Sequence, residues 1–196
     1  MEIGVLALQG DFEAHEKTLR GLGATTRQVR TAQELEGLDG LVLPGGESTT
    51  MIKLLDEEGL LGPVAEFVNT QPVLATCAGV ILLAKTVVNP SQRSLGLLDI
   101  DVERNAYGRQ VASSIRRVTP ETEFADRTEP GELEAVFIRA PIIRTVGEGV
   151  RVLARDGDDP ILIEQGNILA ATFHPELTGD SRIHRLFLDK IPTKAA

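Results

Sequence analysis

One cysteine, one His-Pro-Glu turn and one Gly-Gly loop hold the chemistry open to this chain. Cys77, the only cysteine, lies within Pro72-Val73-Leu74-Ala75-Thr76-Cys77-Ala78-Gly79-Val80-Ile81-Leu82-Leu83-Ala84, an apolar run that reads as a buried strand turning sharply into a helix. Ala75, Ala78 and Gly79 are small enough for an elbow that holds a nucleophile clear of the backbone. A thiol there sits at a helix N-terminus, where partial positive charge favours the thiolate. A buried structural cysteine is the commoner occupant of such a run, so Cys77 needs partners before it counts as a nucleophile. His174-Pro175-Glu176 can supply them. Thiol attack needs a base, and the base needs a group that holds its tautomer and orientation. An apolar strand delivers His174 to its end, and Pro175 fixes φ, so both side chains are presented with little slack. Taken alone, a surface turn carrying His and Glu explains the pair as well.

Gly45-Gly46-Glu47-Ser48 follows another short strand. It reads either as a flexible turn or as a loop whose unshielded N–H groups approach a developing oxyanion, with Ser48 and the adjoining helix start adding polar contacts. Neither the Walker pattern nor the dinucleotide fingerprint is present, which excludes a phosphate loop. Arg104-Asn105-Ala106-Tyr107-Gly108-Arg109-Gln110 is a dense polar stretch in which Arg104 or Arg109 could grip the carboxylate of an amino acid, although an ordinary loop would look similar. Arg139 poses the same choice. His15 and His184 fall on expected amphipathic helices and read as structural or solvated. No cluster has metal-ligand spacing.

The elements that must position these residues alternate in type. Ile3 to Leu8 reads as a strand, and Asp11 as the cap of a helix over 12–22. Thr25 to Val29 is a second strand, followed by a weak helix over 32–38. Gly40 to Leu43 is a third strand, short and continuously apolar as expected when both faces are covered. Helical stretches over 50–58 and 64–69 lead to the strand that ends at Cys77. Three strand-loop-helix units predict a parallel sheet with helices on both faces, and such sheets bind ligands at the carboxyl ends of their strands. Beyond Asn89 alternating runs over 98–102, 111–115 and 135–139 predict a more mixed or antiparallel part, with 119–134 as a surface loop. Runs over 150–154, 160–164 and 168–173 have the spacing of consecutive hairpin strands, and a helix over 182–190 closes the chain.

Composition narrows the partners. A chain of 196 residues with 42% hydrophobic and 25% charged side chains suits one globular domain over 1–196 with a substantial core, and no repeat or linker divides it. No apolar stretch is long enough to span a bilayer and the N-terminus has no basic leader, so the expected location is cytoplasmic. A lone cysteine forms no internal disulfide, in keeping with a reducing compartment. The formal charge of -9 argues against nucleic acid or an anionic membrane as the partner.

Taken together the motifs resemble the class I Cys-His-Glu glutamine amidotransferases, and within them the glutaminase subunits that serve pyridoxal 5′-phosphate synthases. The resemblance rests on Leu6-Ala7-Leu8-Gln9-Gly10, Pro44 to Thr50, Thr76-Cys77-Ala78-Gly79, Glu103 to Gln110, Phe137-Ile138-Arg139-Ala140-Pro141 and Phe173 to Leu177, nearly the whole chain. It implies a three-layer, flavodoxin-like α/β fold whose mostly parallel sheet is flanked by helices, with an added antiparallel strand region. It also implies hydrolysis of L-glutamine to glutamate and ammonia. Cys77 would attack the side-chain amide to form a γ-glutamyl thioester, His174 would shuttle the proton and Glu176 would orient His174. Main-chain N–H groups near Gly46 and Ala78 would form the oxyanion hole, with Gly45 in the same loop. Glu47, Ser48, Arg104, Ile138 and Arg139 match the family's glutamine contacts. No metal or organic cofactor is implied. The implied partner is a synthase subunit in a hetero-oligomer that takes the ammonia through a protected path, with Gln9, Gly10 and the Gly45-Gly46 edge near the interface. A class I glutaminase serving another synthase, such as imidazole glycerol phosphate synthase, shares the triad but not the 104–110 stretch. A PfpI-like cysteine hydrolase would carry His where Ala78 stands. A catalytically silent subunit has no need of Cys77, His174 and Glu176 together. One departure from the family is Ala75, where the elbow usually has Gly.

Overall fold

The computed structural model describes residues 1–105 and 113–192. Tyr107, Arg109, Gln110 and the strand expected to begin at Val111 therefore lie at least partly outside the described residues. The chain runs β1 (Glu2–Leu6), α1 (Phe12–Gly21), β2 (Thr25–Val29), β3 (Gly40–Leu43), α2 (Ser48–Glu57), α3 (Leu61–Thr70), β4 (Val73–Thr76) and α4 (Ala78–Leu83). It continues through β5 (Ala84–Val88), β6 (Leu98–Glu103), β7 (Ser113–Val118), α5 (Thr122–Ala125), β8 (Leu133–Ile138) and β9 (Ile142–Val146). The last part is β10 (Arg151–Asp156), β11 (Asp159–Gln165), β12 (Ile168–Ala171) and α6 (Arg182–Leu188).

Alternation along the strands decides the layers. On β3, Leu41 and Leu43 enter one apolar cluster with α2 and α3 while Val42 enters the other with α1 and α6. On β4, Val73 and Ala75 go one way and Leu74 the other, and β12 repeats the pattern with Ile168 and Ala170 against Leu169 and Ala171. Two cores therefore sandwich one sheet of seven strands in the order β10-β11-β12-β4-β3-β1-β2. Strands β2, β1, β3, β4 and β12 pair in parallel, and β10, β11 and β12 form the antiparallel hairpins expected from their spacing. The three-layer α/β reading is thus the observed architecture. Because β4 lies between β3 and β12, the loops after all three meet at one sheet edge.

The differences have physical causes. The helix after Cys77 stops at Leu83, and the apolar run continues without a break into β5, which pairs in parallel with β6. β9 was not anticipated either; it follows Ala140-Pro141 and pairs antiparallel with β6. The expected loop over 119–134 holds the short α5, whose Phe124 is fully buried. Asp11 precedes α1 without capping it through its side chain, and the weak helix after β2 is a single 3-10 turn over Ala32–Leu35. No helix among the described residues is long and apolar enough to cross a membrane.

Glycines separate close packing from mere flexibility. A Cβ on Gly79 would lie 2.2 Å from the Leu43 carbonyl oxygen, so α4 packs directly on the end of β3 only because that residue has no side chain. A Cβ on Gly21, the last residue of α1, would meet nothing within 4 Å. Gly79→Ala is expected to destabilise the fold by about 1–3 kcal/mol, since backbone must move. Gly21→Ala should stabilise it by roughly 0.5–1 kcal/mol through lost freedom of the unfolded chain. Urea unfolding of the two variants beside the parent checks both signs.

Candidate active site

The site begins with a backbone conformation. Cys77 has φ 46° and ψ -101°, a region that L-residues avoid, between the last residue of β4 and the first of α4. Its N–H donates to Ala171 O of β12 at 2.9 Å, and its carbonyl accepts from Val80 N at 3.1 Å, so both sides of the bend are fixed. The residue is 5% exposed. Its sulfur lies 3.9 Å from Ile138 O at the end of β8.

His174 follows β12 and is anchored by its N–H to Val136 O of β8 at 2.8 Å. Its Nδ1 is 2.7 Å from Glu176 Oε1, inside a 3-10 turn over Pro175–Leu177 that puts both side chains on the same side. Both residues are buried. Burial alone would lower the His174 pKa, but hydrogen bonds to Cys77 and Glu176 and the charge of both overcome it and raise the group from 6.5 to about 10. The imidazole therefore rests as a cation at neutral pH.

Gly45 makes this approach possible. A Cβ there would stand 2.4 Å from His174 Cε1 and 3.4 Å from Cys77 Cβ. Gly46, with φ 136°, and Gly10, with φ 82°, complete a stretch of bare backbone, and a Cβ on Gly10 would collide with Gly45 O at 2.0 Å. Gln9 bonds the Glu47 backbone twice: its Nε2 donates to Glu47 O at 2.5 Å and its Oε1 accepts from Glu47 N at 3.4 Å. Ala78, buried at the first position of α4, has an N–H at a helix start, where donors lack intrahelical partners.

The Glu47 side chain does something other than face the cleft freely. It caps α2, accepting from Thr49 N at 3.0 Å, Thr50 N at 2.7 Å and Thr50 Oγ1 at 2.8 Å. Burial opposes its ionisation, yet these donors hold its pKa at about 2. Arg104 Nη2 adds contacts to Glu47 Oε1 at 3.4 Å and Thr49 Oγ1 at 3.1 Å. Ser48 Oγ donates to Gln92 Oε1 at 2.9 Å.

A cleft of about 260 Å³ opens over the sulfur. Of the residues expected at the site, Gly46, Glu47, Ser48, Cys77, Arg104, Ile138, Arg139 and His174 line it. Gly45 lies beneath the His174 ring, and Ala78 and Glu176 are buried behind the lining. Arg139 has φ 45°, a left-handed turn directly after β8. Sequence reasoning missed Asp11, Ile81, Asn105 and Pro141 in the wall, and Gln92 behind it. Gly10, expected near the partner interface, also lines the cleft, and Asp11 beside it could have been suspected from its place at the carboxyl end of β1. Gln92 carries no local signal. Asp11, His174 and Glu176 place possible ligand atoms within 4.8 Å of one another, but His174 Nδ1 is already committed to Glu176.

Residues 5–193 match the model of the SNO glutamine amidotransferase family. The chain is 60% identical over 190 residues to a protein of Solibacter usitatus named pyridoxal 5′-phosphate synthase subunit PdxT, covering 97% of this chain and 99% of that one. A protein of the same name from Koribacter versatilis is 53% identical over 191 residues, covering 97% and 96%. A solved crystal structure of a glutamine amidotransferase superposes with a TM-score of 0.87 at 49% identity, covering 96% of this chain and 98% of that one.

The elevated His174 pKa depends on the sulfur. In Cys77→Ala the imidazole titration, followed by NMR, is expected to fall from about 10 by roughly a unit or more, because one hydrogen bond and its charge disappear. The sign for stability follows from a folded value above the unfolded one. The His174 contribution is complete below about 6.5 and is lost as pH rises through about 10. A midpoint that stays at about 10 in the variant would remove Cys77 as its partner.

Proposed function

Because this chain belongs to the SNO glutamine amidotransferase family, we propose that it is the glutaminase subunit of a pyridoxal 5′-phosphate synthase, with 1–196 acting as one amidotransferase domain. The observation that carries the reading is the strained Cys77 elbow facing a His174 already hydrogen-bonded to Glu176. L-Glutamine enters the cleft with its side-chain amide over the sulfur. Arg104 and Arg139, both in the wall, suit its α-carboxylate.

The sulfur of Cys77, with its proton held on His174, attacks the amide carbon, and the carbonyl oxygen becomes an oxyanion that the N–H groups near Gly46 and Ala78 can meet. His174 is protonated before the attack, so the proton needed by the departing nitrogen is in place. The C–N bond breaks, ammonia leaves and a γ-glutamyl thioester remains. His174, now neutral, takes a proton from water, whose oxygen attacks the thioester carbon. Collapse releases glutamate and restores the pair of Cys77 and His174. Glu176 holds the imidazole in the Nδ1–H tautomer through both halves. Nothing in these steps calls on a metal or an organic cofactor.

The ammonia is for a synthase subunit, a role that the names of the relatives support. A site whose nucleophile is the only cysteine works only while that thiol stays reduced, which favours a cytoplasmic setting.

Purified together with its synthase subunit, the protein should release glutamate from glutamine and support pyridoxal 5′-phosphate formation. Cys77→Ala is expected to abolish glutamine-dependent coenzyme synthesis, a loss of more than about a thousandfold, and to leave synthesis from added ammonia intact. Loss of both activities would give Cys77 a structural role and overturn the reading.

A further inference from the structure

His15 and His184, on α1 and α6, lie behind the site and are fully buried. They are not isolated from it. His15 Nδ1 is 3.0 Å from His184 Nε2. On its other side His15 Nε2 is 3.3 Å from Glu176 Oε2 and 3.3 Å from Thr76 Oγ1, the side chain just before the nucleophile. Glu176 Oε1 is taken by His174, whereas Oε2 is buried with no aligned hydrogen-bond donor among the described residues, and His184 Nδ1 is likewise without a partner. We propose that His15 is a positioning residue for the glutaminase reaction inferred above: its Nε2–H, fixed in that tautomer by His184, holds the second oxygen of Glu176 so that the first stays on His174.

The tautomers follow from counting protons. Burial, with the neighbouring His184 and His174, lowers the His15 pKa well below 6.5, and burial lowers His184 to about 4 against a weaker opposing pull from Asp180. Both rings are neutral at pH 7, and each has one N–H to place. If His15 donated from Nδ1 to His184, its bare Nε2 could accept from the Thr76 hydroxyl but would face the carboxylate oxygen, lone pair against charge. His184 would then hide an N–H at Nδ1 with nothing to receive it. Reversing the pair removes both defects. His184 Nε2–H donates to His15 Nδ1, His15 Nε2–H faces Glu176 Oε2 and Thr76 Oγ1, and the unpartnered His184 Nδ1 is an acceptor. Buried unpaired acceptors are tolerated better than buried unpaired N–H groups.

The direction of donation then runs one way, from His184 to His15, whose Nε2–H is turned towards Thr76 Oγ1 and the second oxygen of Glu176, while His174 holds the first oxygen on the other side. A carboxylate held only at Oε1 could rotate and release the His174 ring, and ring orientation is what an orienting carboxylate supplies.

Nitrogen-15 NMR of the imidazoles in the full wild-type chain at pH 7 tests this without any substitution. Both His15 and His184 are expected as Nε2–H tautomers, and an Nδ1–H tautomer at His15 would overturn the proposal. Glutamate release by the complex with the synthase subunit supplies the functional arm. His15→Leu should lower kcat about tenfold with KM little changed, by the scale seen when an outer partner of a site residue is lost. His15→Gln, which keeps an N–H donor, should recover most of it. Equal kcat in His15→Leu and wild type, or equal losses in both variants, would reduce His15 to packing. If the Leu variant does not fold, the wild-type tautomers still decide. A wild-type complex that releases no glutamate would instead overturn the glutaminase reading, which the tautomers do not test.

Discussion

Everything at this site hangs on the left-handed turn of Cys77, a conformation that costs a non-glycine residue of order 1–3 kcal/mol. The surrounding elements over-determine it. β12 holds the Cys77 N–H, α4 holds its carbonyl, and the contact of Gly79 with Leu43 O lets α4 start directly against β3. The same strand order brings the loop of Gly45, after β3, and His174, after β12, together at Cys77. The strain and the meeting of reactive groups are thus two results of one topology, in which β4 is flanked in parallel by β3 and β12.

Electrostatics behind the turn sort three buried histidines into two protonation states. Burial pushes all of them towards neutrality, and only His174 has hydrogen bonds to Cys77 and to a carboxylate strong enough to reverse that push. Glu176 lies between the two kinds, with its Oε1 on the cation and its Oε2 towards His15. Had His15 also been protonated, Glu176 would have been shared between two cations and its hold on His174 weakened. A neutral His15 leaves the carboxylate's charge to the ring that moves protons.

Much of this was legible in residue order because period and spacing are local signals. Apolar runs broken by Gly and by helix starts announced the strands of the main sheet and the three hairpin strands, and the residue types at 77, 174 and 176 announced their chemistry. What could not be read depends on contacts distant in sequence. His15 shows only as a histidine on the buried face of an amphipathic helix, and its meaning comes from His184, 169 residues away. Gln92 bonds Ser48 across 44 residues. Glu47 lines the cleft as expected, but that its carboxylate caps α2 through Thr49 and Thr50 shows only in the folded chain. β5 was hidden for the opposite reason: helix and strand share one apolar run, and nothing between Leu83 and Ala84 marks the change.

Ala75 shows where an elbow needs small residues and where it does not. The position two before the nucleophile sits in regular parallel pairing with Leu43 on one side and Ala170 on the other, so no unusual φ is asked of it. Its methyl is fully buried and joins the same apolar cluster as Leu43 and Ala78. The demand for a missing side chain falls instead two residues after the nucleophile, at Gly79, and across the cleft at Gly45, where a Cβ would strike carbonyl oxygen or imidazole. A glycine at 75 would remove packing and add chain entropy without relieving any contact. The steric constraint therefore belongs to the surfaces that close on Cys77 rather than to the strand that delivers it, which is why the turn accommodates alanine at that place.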